Sequence, residues 1–185
     1  MKPTTGVLFV CLGNICRSPA AEGVMRHMVE QKGLSDRITC DSAGTYGGHT
    51  GELPDPRMRR AAAARGYDLT HRARQFRTGD FDRFDMIIVM DDSNYENVSR
   101  MAPSLEAARK IHRMTDFCSR EKRDIRNTSP KCDISNTSEK RDISNTFATE
   151  RPTHIPDPYY EGAEGFENVL DLLEDACDGL LQEFS

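Results

Sequence analysis

Eight consecutive residues carry the strongest chemical signal in this chain: Cys11, Leu12, Gly13, Asn14, Ile15, Cys16, Arg17 and Ser18. A cysteine followed by five residues and then an arginine makes a loop short enough to wrap one tetrahedral anion, with successive backbone N–H groups turned toward its oxygens. Gly13 is expected to supply backbone angles that a side chain would forbid. Arg17 offers a planar fork suited to two phosphate oxygens. The amides, the following helix N-terminus and Arg17 all favour a negative sulfur on Cys11, and a thiolate is the nucleophile that phosphoryl transfer to sulfur requires. The Ser18 hydroxyl can donate to that sulfur and stabilise it as a leaving group. The plainer alternative is an inert buried thiol at a strand end, which the complete octet argues against. No metal and no cofactor is required.

Such a loop needs a strand to deliver its first residue and a helix to leave from its last. Residues 6–11 form a short apolar run that reads as a buried strand. Ser18 and Pro19 read as an N-cap with proline at the first helical position. Val24, Met25, Met28 and Val29 then recur at helical spacing up to Gly33. Further strands are expected at 38–42, 86–90 and 110–117. Helices are expected at 56–65, closed by Gly66, and from about Asp92. A long amphipathic helix carries Phe166, Val169, Leu170, Leu173, Ala176, Cys177, Leu180 and Leu181 on one face. Alternating strands and helices predict a single-domain α/β fold, an open parallel four-stranded sheet with helices on both faces.

A length of 185 residues fits one domain. Residues 122–146 carry a nine-residue repeat around Lys122, Lys131 and Lys140 that offers one Ile per copy to bury, so we expect a repeat-rich surface insertion at about 119–152 with no chemical role. A net charge of −5 argues against nucleic-acid binding. The charge is uneven: Arg57, Arg59, Arg60, Arg65, Arg72, Arg74 and Arg77 face one acid, Asp68, within their stretch, while 161–183 is acidic. This pattern is read either as an electropositive surface for an anionic substrate or as a solvated helix face. No apolar run approaches the roughly 20 residues of a membrane span, and 6–10 is too short for a signal-peptide core, so membrane insertion is not expected and a cytoplasmic location is. The six irregularly spaced cysteines do not suggest a disulfide framework. Cys40, Cys118, Cys132 and Cys177 are read as packing or insertion residues.

The octet, extended through Pro19, resembles the loop of the low-molecular-weight protein tyrosine phosphatases: Cys, any, Gly, Asn, any, Cys, Arg, Ser, Pro. Further segments agree, at 41–45, 54–57, 66–75, Met90-Asp91 with Asn94, and 157–160, so that all but the repeat region is covered. The resemblance implies hydrolysis of phosphotyrosyl proteins through a cysteinyl-phosphate. It also implies a polar network of Asn14, Ser18, Ser42 and His71 bracing the phosphate loop, Asp157 as general acid and then base, Tyr159 and Tyr160 lining the cleft, and a reversible Cys11 to Cys16 disulfide. General acid chemistry agrees, since a tyrosyl leaving group needs a proton on the side away from the nucleophile.

One departure concerns the cleft. Where the family carries Trp or Tyr just before His-x-Gly, this chain has Gly48 before His49 and Gly51, with Tyr46 two residues away. One wall is therefore expected to be missing or rebuilt. Three other activities fit the same fold. An arsenate reductase would need further cysteines, and none lies between Cys40 and Cys118. An arginine phosphatase would favour Thr where this chain has Ile15. A catalytically dead phosphotyrosine reader would lack Cys11, Arg17 or Asp157, all of which are present.

Overall fold

The computed structural model describes residues 4–119 and 152–184, so the repeat lies outside the described residues. Four parallel strands, β1 (Thr5–Cys11), β2 (Ile38–Gly44), β3 (Met86–Val89) and β4 (Ile111–Arg113), form one sheet in the order β2-β1-β3-β4. The helices are α1 (Arg17–Gln31), α2 (Pro56–Ala64), α3 (Asp80–Arg83), α4 (Asp92–Arg100), α5 (Leu105–Ala108) and α6 (Ala163–Gln182).

Successive residues of β1 are buried on opposite faces because both faces are covered. Val7, Phe9 and Cys11 join a core with α1, α2 and α6, whereas Leu8 and Val10 join Phe76, Phe81, Phe84, Ile87, Val89 and Val98 on the other side. The apolar face read for the last helix is the one α6 buries, from Phe166 to Leu181. Gly66, with φ +87°, ends α2 as expected, and the N–H groups of Gly66 and Tyr67 close back on Ala63 and Ala62.

The strand order reverses direction between β1 and β3. Ligands of open α/β sheets sit at such a point, beyond the carboxyl ends of the strands. Cys11 ends β1, and Asp91 lies just past β3.

Several expectations change. The helix after the loop starts at Arg17 with Cys16 as its N-cap residue, so Ser18 is not the cap; its hydroxyl is used elsewhere. The fourth strand stops at Arg113, and Met114–Phe117 is a 3-10 turn that packs against α6. The short helices α3 and α5 were not expected. Three of the seven arginines of the basic stretch are ion-paired: Arg57 with Asp55, Arg74 with Asp41 and Asp80, and Arg65 with Glu167, Asp171 and Glu174 of acidic α6. Cys40, Cys118 and Cys177 lie in or against the core, and Cys132 lies outside the described residues. Among the described residues, no helix is long and apolar enough to cross a membrane.

Candidate active site

The loop between β1 and α1 turns tightly at Asn14, whose φ of 58° lies in the left-handed region. Asparagine tolerates this conformation better than most residues. Gly13 does not adopt a positive φ; a side chain there would meet the His49 ring, whose Cδ2 would lie 3.2 Å from an added Cβ. Glycine at Gly13 therefore eases close approach rather than supplying special backbone angles.

The turn aims two donors at the cysteine. The Asn14 N–H lies 3.3 Å from Cys11 Sγ, and Ser18 Oγ lies 3.1 Å from it. Cys11 and Ser18 are both buried. Asn14 is the hub of the surrounding network. Its amide donates to Ser18 Oγ at 2.9 Å and to Ser42 Oγ at 3.0 Å, and its carbonyl oxygen accepts from the Arg74 N–H at 2.9 Å. His71 Nε2 lies 3.0 Å from the same oxygen. The structure thus brings together Asn14, Ser18, Ser42 and His71.

It also adds a residue that the sequence reading missed. Glu22 Oε2 accepts from Ser42 Oγ at 2.7 Å and lies 3.1 Å from His71 Nδ1. His71 thus faces an oxygen at each nitrogen, Glu22 Oε2 at Nδ1 and Asn14 Oδ1 at Nε2. Burial pushes the Glu22 carboxyl above its ordinary value, while His71 and Ser42 act against that rise. The one available signal was an acid inside the tightly packed run 20–25, four residues after Ser18 and so on the same helix face.

Arg17 is buried beneath the loop, and its fork is already engaged. Nη1 donates to Asp91 Oδ2 at 2.6 Å and to the Ile155 carbonyl at 3.1 Å, and Nη2 donates to Asp157 Oδ2 at 3.2 Å. Burial opposes its charge, but the Cys11 sulfur, Asp91 and Asp157 outweigh burial and hold the guanidinium above its ordinary pKa. Asp91 was quoted above only as part of a matching segment. Here its Oδ2 holds Arg17 while its Oδ1 caps α4 by accepting from the Asn94 N–H at 2.7 Å. Asp157 differs in being accessible: its side chain is 44% exposed, and its Oδ1 accepts from the Tyr159 N–H.

A cavity of about 230 Å³ opens above this floor. Cys11, Leu12, Gly13, Ile15, Cys16 and Arg17 line it, with Tyr46 and His49 from one segment and Asp157, Tyr159 and Tyr160 from another. Burial, and then Asp55, Cys11 and Asp157, push the Cys16 thiol well above its ordinary pKa, which keeps it protonated. Arg57 stacks on both Tyr159 and Phe166 and is held by Asp55, which ties the tyrosine wall to α2.

This constellation coincides with known proteins along the chain. A model of the family described as low molecular weight phosphotyrosine protein phosphatase matches residues 6–142 and 133–185, two stretches whose overlap falls within the repeat. The chain is 38% identical over 178 residues to a low molecular weight protein-tyrosine-phosphatase of Streptomyces coelicolor, covering 96% of this chain and 92% of that protein. It is 36% identical over 186 residues to the low molecular weight phosphotyrosine protein phosphatase of Schizosaccharomyces pombe, with 100% of both covered. A crystal structure of a protein tyrosine phosphatase from Entamoeba histolytica, with Hepes in the active site, superposes with a TM-score of 0.79 at 38% identity, covering 98% of this chain and 97% of that one. The loop, its bracing network and the matches over the full fold make this chain a member of the low molecular weight phosphotyrosine protein phosphatase family.

Proposed function

We propose that this chain hydrolyses phosphotyrosyl proteins by in-line attack of Cys11 on phosphorus. The observation that carries the reading is that Cys11, Arg17 and Asp157 line one cavity together with three tyrosines, Tyr46, Tyr159 and Tyr160. The loop amides and Arg17 hold the phosphoryl oxygens as negative charge builds on them. The Cys11 sulfur forms a bond to phosphorus while the phosphorus–oxygen bond to tyrosine breaks, and protonated Asp157 delivers its proton to the departing phenolic oxygen. Water then attacks the cysteinyl-phosphate, Asp157 takes its proton, phosphate leaves and the sulfur returns as thiolate, stabilised by Asn14 N–H and Ser18 Oγ.

Asp157 Oδ2 accepts from Arg17 Nη2 at 3.2 Å, and its side chain is the accessible one of the two carboxylates on Arg17. We read this contact as exchangeable, so that a phosphate on the guanidinium leaves Asp157 to face the leaving group. Asp91 keeps its bond to Nη1 throughout and positions the fork. Ile15, on the cavity lining, narrows the room for a guanidinium and so favours an aryl phosphate over a phosphoarginine.

Cys11→Ser should abolish turnover of an aryl phosphate, and Asp157→Ala should lower kcat by 10²-fold or roughly so, with binding of inorganic phosphate retained. Wild-type kcat in the Asp157 variant would remove it from the acid role. Faster turnover of phosphoarginyl than phosphotyrosyl peptides would overturn the substrate assignment.

A further inference from the structure

We infer that Tyr46 is a specificity-determining wall of the aryl cleft, and that position 48 is glycine because the Tyr46 ring lies on it. This rests on reading the cavity as a phosphoaryl site. A Cβ built on Gly48 would fall 2.2 Å from Tyr46 Cε1 and 2.4 Å from its Cζ and Oη, so the outer half of the ring rests against the Gly48 backbone. Gly48 does not have a positive φ, so its backbone does not call for glycine; the aromatic ring does.

The ring's position is anchored from below. The Tyr46 N–H donates to the Leu12 carbonyl and the Thr45 N–H to the Cys11 carbonyl, each at 2.9 Å, which ties this segment to the phosphate loop. Beside it stands the His49 ring, edge-on at 6.2 Å between centroids, held by Glu52 at 2.8 Å and pressed against Gly13. Tyr46 therefore keeps a fixed relation to the floor where phosphate binds, yet its residue surface is 58% exposed at the cavity. A free surface tyrosine would extend into water, whereas this one lies down along the cavity and leaves a face uncovered. Tyr46 lines the same cavity as Tyr159 and Tyr160, so an aryl group on a phosphate held by the loop would have aromatic side chains from two segments around it.

The Tyr46 hydroxyl has no hydrogen-bond partner among the described residues, so the ring and not the hydroxyl should matter. One aromatic contact corresponds to a roughly three- to tenfold change in binding. The test compares KM for a phosphotyrosyl peptide with the inhibition constant of inorganic phosphate. Tyr46→Ala should raise KM roughly three- to tenfold while the phosphate constant stays put, and Tyr46→Phe should rescue KM. Gly48→Ala should raise KM in the same direction by displacing the ring, and the double variant Tyr46→Ala with Gly48→Ala should be no worse than Tyr46→Ala alone.

An unchanged KM in Tyr46→Ala, or a phosphate constant that worsens in step with KM, would overturn the assignment. A harmless Gly48→Ala would overturn the explanation of the glycine. Cys11→Ser separates the two levels: if it stays active the catalytic reading fails, whereas an inactive Cys11→Ser with an indifferent Tyr46→Ala sinks only this inference.

Discussion

Replacing Asn14 tests the bracing network and the loop backbone at once. The residue is 1% exposed and makes four side-chain hydrogen bonds, to Ser18, Ser42, His71 and the Arg74 N–H. In Asn14→Ala the two serine hydroxyls lose only a donor, because Ser42 still donates to Glu22 and Ser18 can still donate to the Ala43 carbonyl or to Cys11. The His71 and Arg74 N–H groups fare worse. Each loses its acceptor in a half-buried setting, which costs about 1–2 kcal/mol apiece. Holding alanine at a left-handed φ adds about 1 kcal/mol. The sum is roughly 3–5 kcal/mol, large against the 5–15 kcal/mol or so that separates most folded domains from the unfolded chain.

Urea denaturation should therefore show a lower midpoint with an unchanged slope. Turnover should fall with it, because the Asn14 N–H reaches Cys11 only while the turn keeps its left-handed shape. Asn14→Gly separates the two contributions, since glycine accepts that backbone but supplies no amide. It should be less destabilised than Asn14→Ala by about 1 kcal/mol. A loss below about 1 kcal/mol in Asn14→Ala would refute the network argument, and an Asn14→Gly no better than Asn14→Ala would refute the backbone argument.

Gly44→Ala should raise the inhibition constant of phosphate, because its Cβ would stand 2.7 Å from the Leu12 carbonyl and 3.1 Å from Asn14 N; Gly33→Ala, at φ +65° with no atom within 4 Å, should instead cost about 1 kcal/mol of stability and leave phosphate binding alone. Asp55→Ala should cost about 1 kcal/mol by uncapping α2, where its Oδ1 accepts from the Arg57 N–H at 2.8 Å. The Arg57 side chain, ahead of burial, holds the Asp55 carboxyl below its ordinary 3.8, so that part of the stability is complete above pH 3.8 and is lost as pH falls through the lowered folded value; the deficit of Asp55→Asn in acid melts should shrink over that window. Deleting 122–146 should leave turnover and melting temperature nearly unchanged, because the chain is pinned on both sides of the repeat: the Ser119 N–H and Oγ donate to Asp175 at 2.8 and 2.7 Å, and the Ile155 N–H donates to the Met90 carbonyl at 2.8 Å. An unfolded deletion variant would show that the insertion is part of the core.

The order of strands and long helices was legible because it depends on local pattern. The 6–11 run, the Gly66 stop and the α6 stripe are each set within a dozen residues. The fourth strand was overread because apolar residues continue past Arg113. Met114 is buried, but by the packing of the 3-10 turn on α6, and near this contact Gly179 comes so close that a Cβ there would collide with the Phe117 carbonyl. A short apolar run cannot reveal whether a sheet or a helix will cover it.

The site divides along the same line. Cys11 to Ser18 is one continuous turn, so its chemistry follows from types and spacing. Two of its details nevertheless went the other way, since the left-handed residue is Asn14 rather than Gly13 and the helix begins before Ser18. Contacts that spacing does not reveal accompany both: His49 stands against Gly13, and the Ser18 hydroxyl lies between Cys11 Sγ and the Ala43 carbonyl. Glu22, Asp91 and Ile155 were missed because each acts only through a partner far away in sequence, Ser42, His71 or Arg17. The two carboxylates on Arg17 show what this costs a sequence reading. Asp91 follows the buried Met90 and Asp157 the half-buried Pro156, yet one stands at the sheet's switch point and holds the guanidinium, and the other rides on a more exposed turn. Their difference in accessibility, 23% against 44% for the side chains, supports the proposed division into positioning and proton transfer, and no arrangement of neighbouring residues encodes that difference.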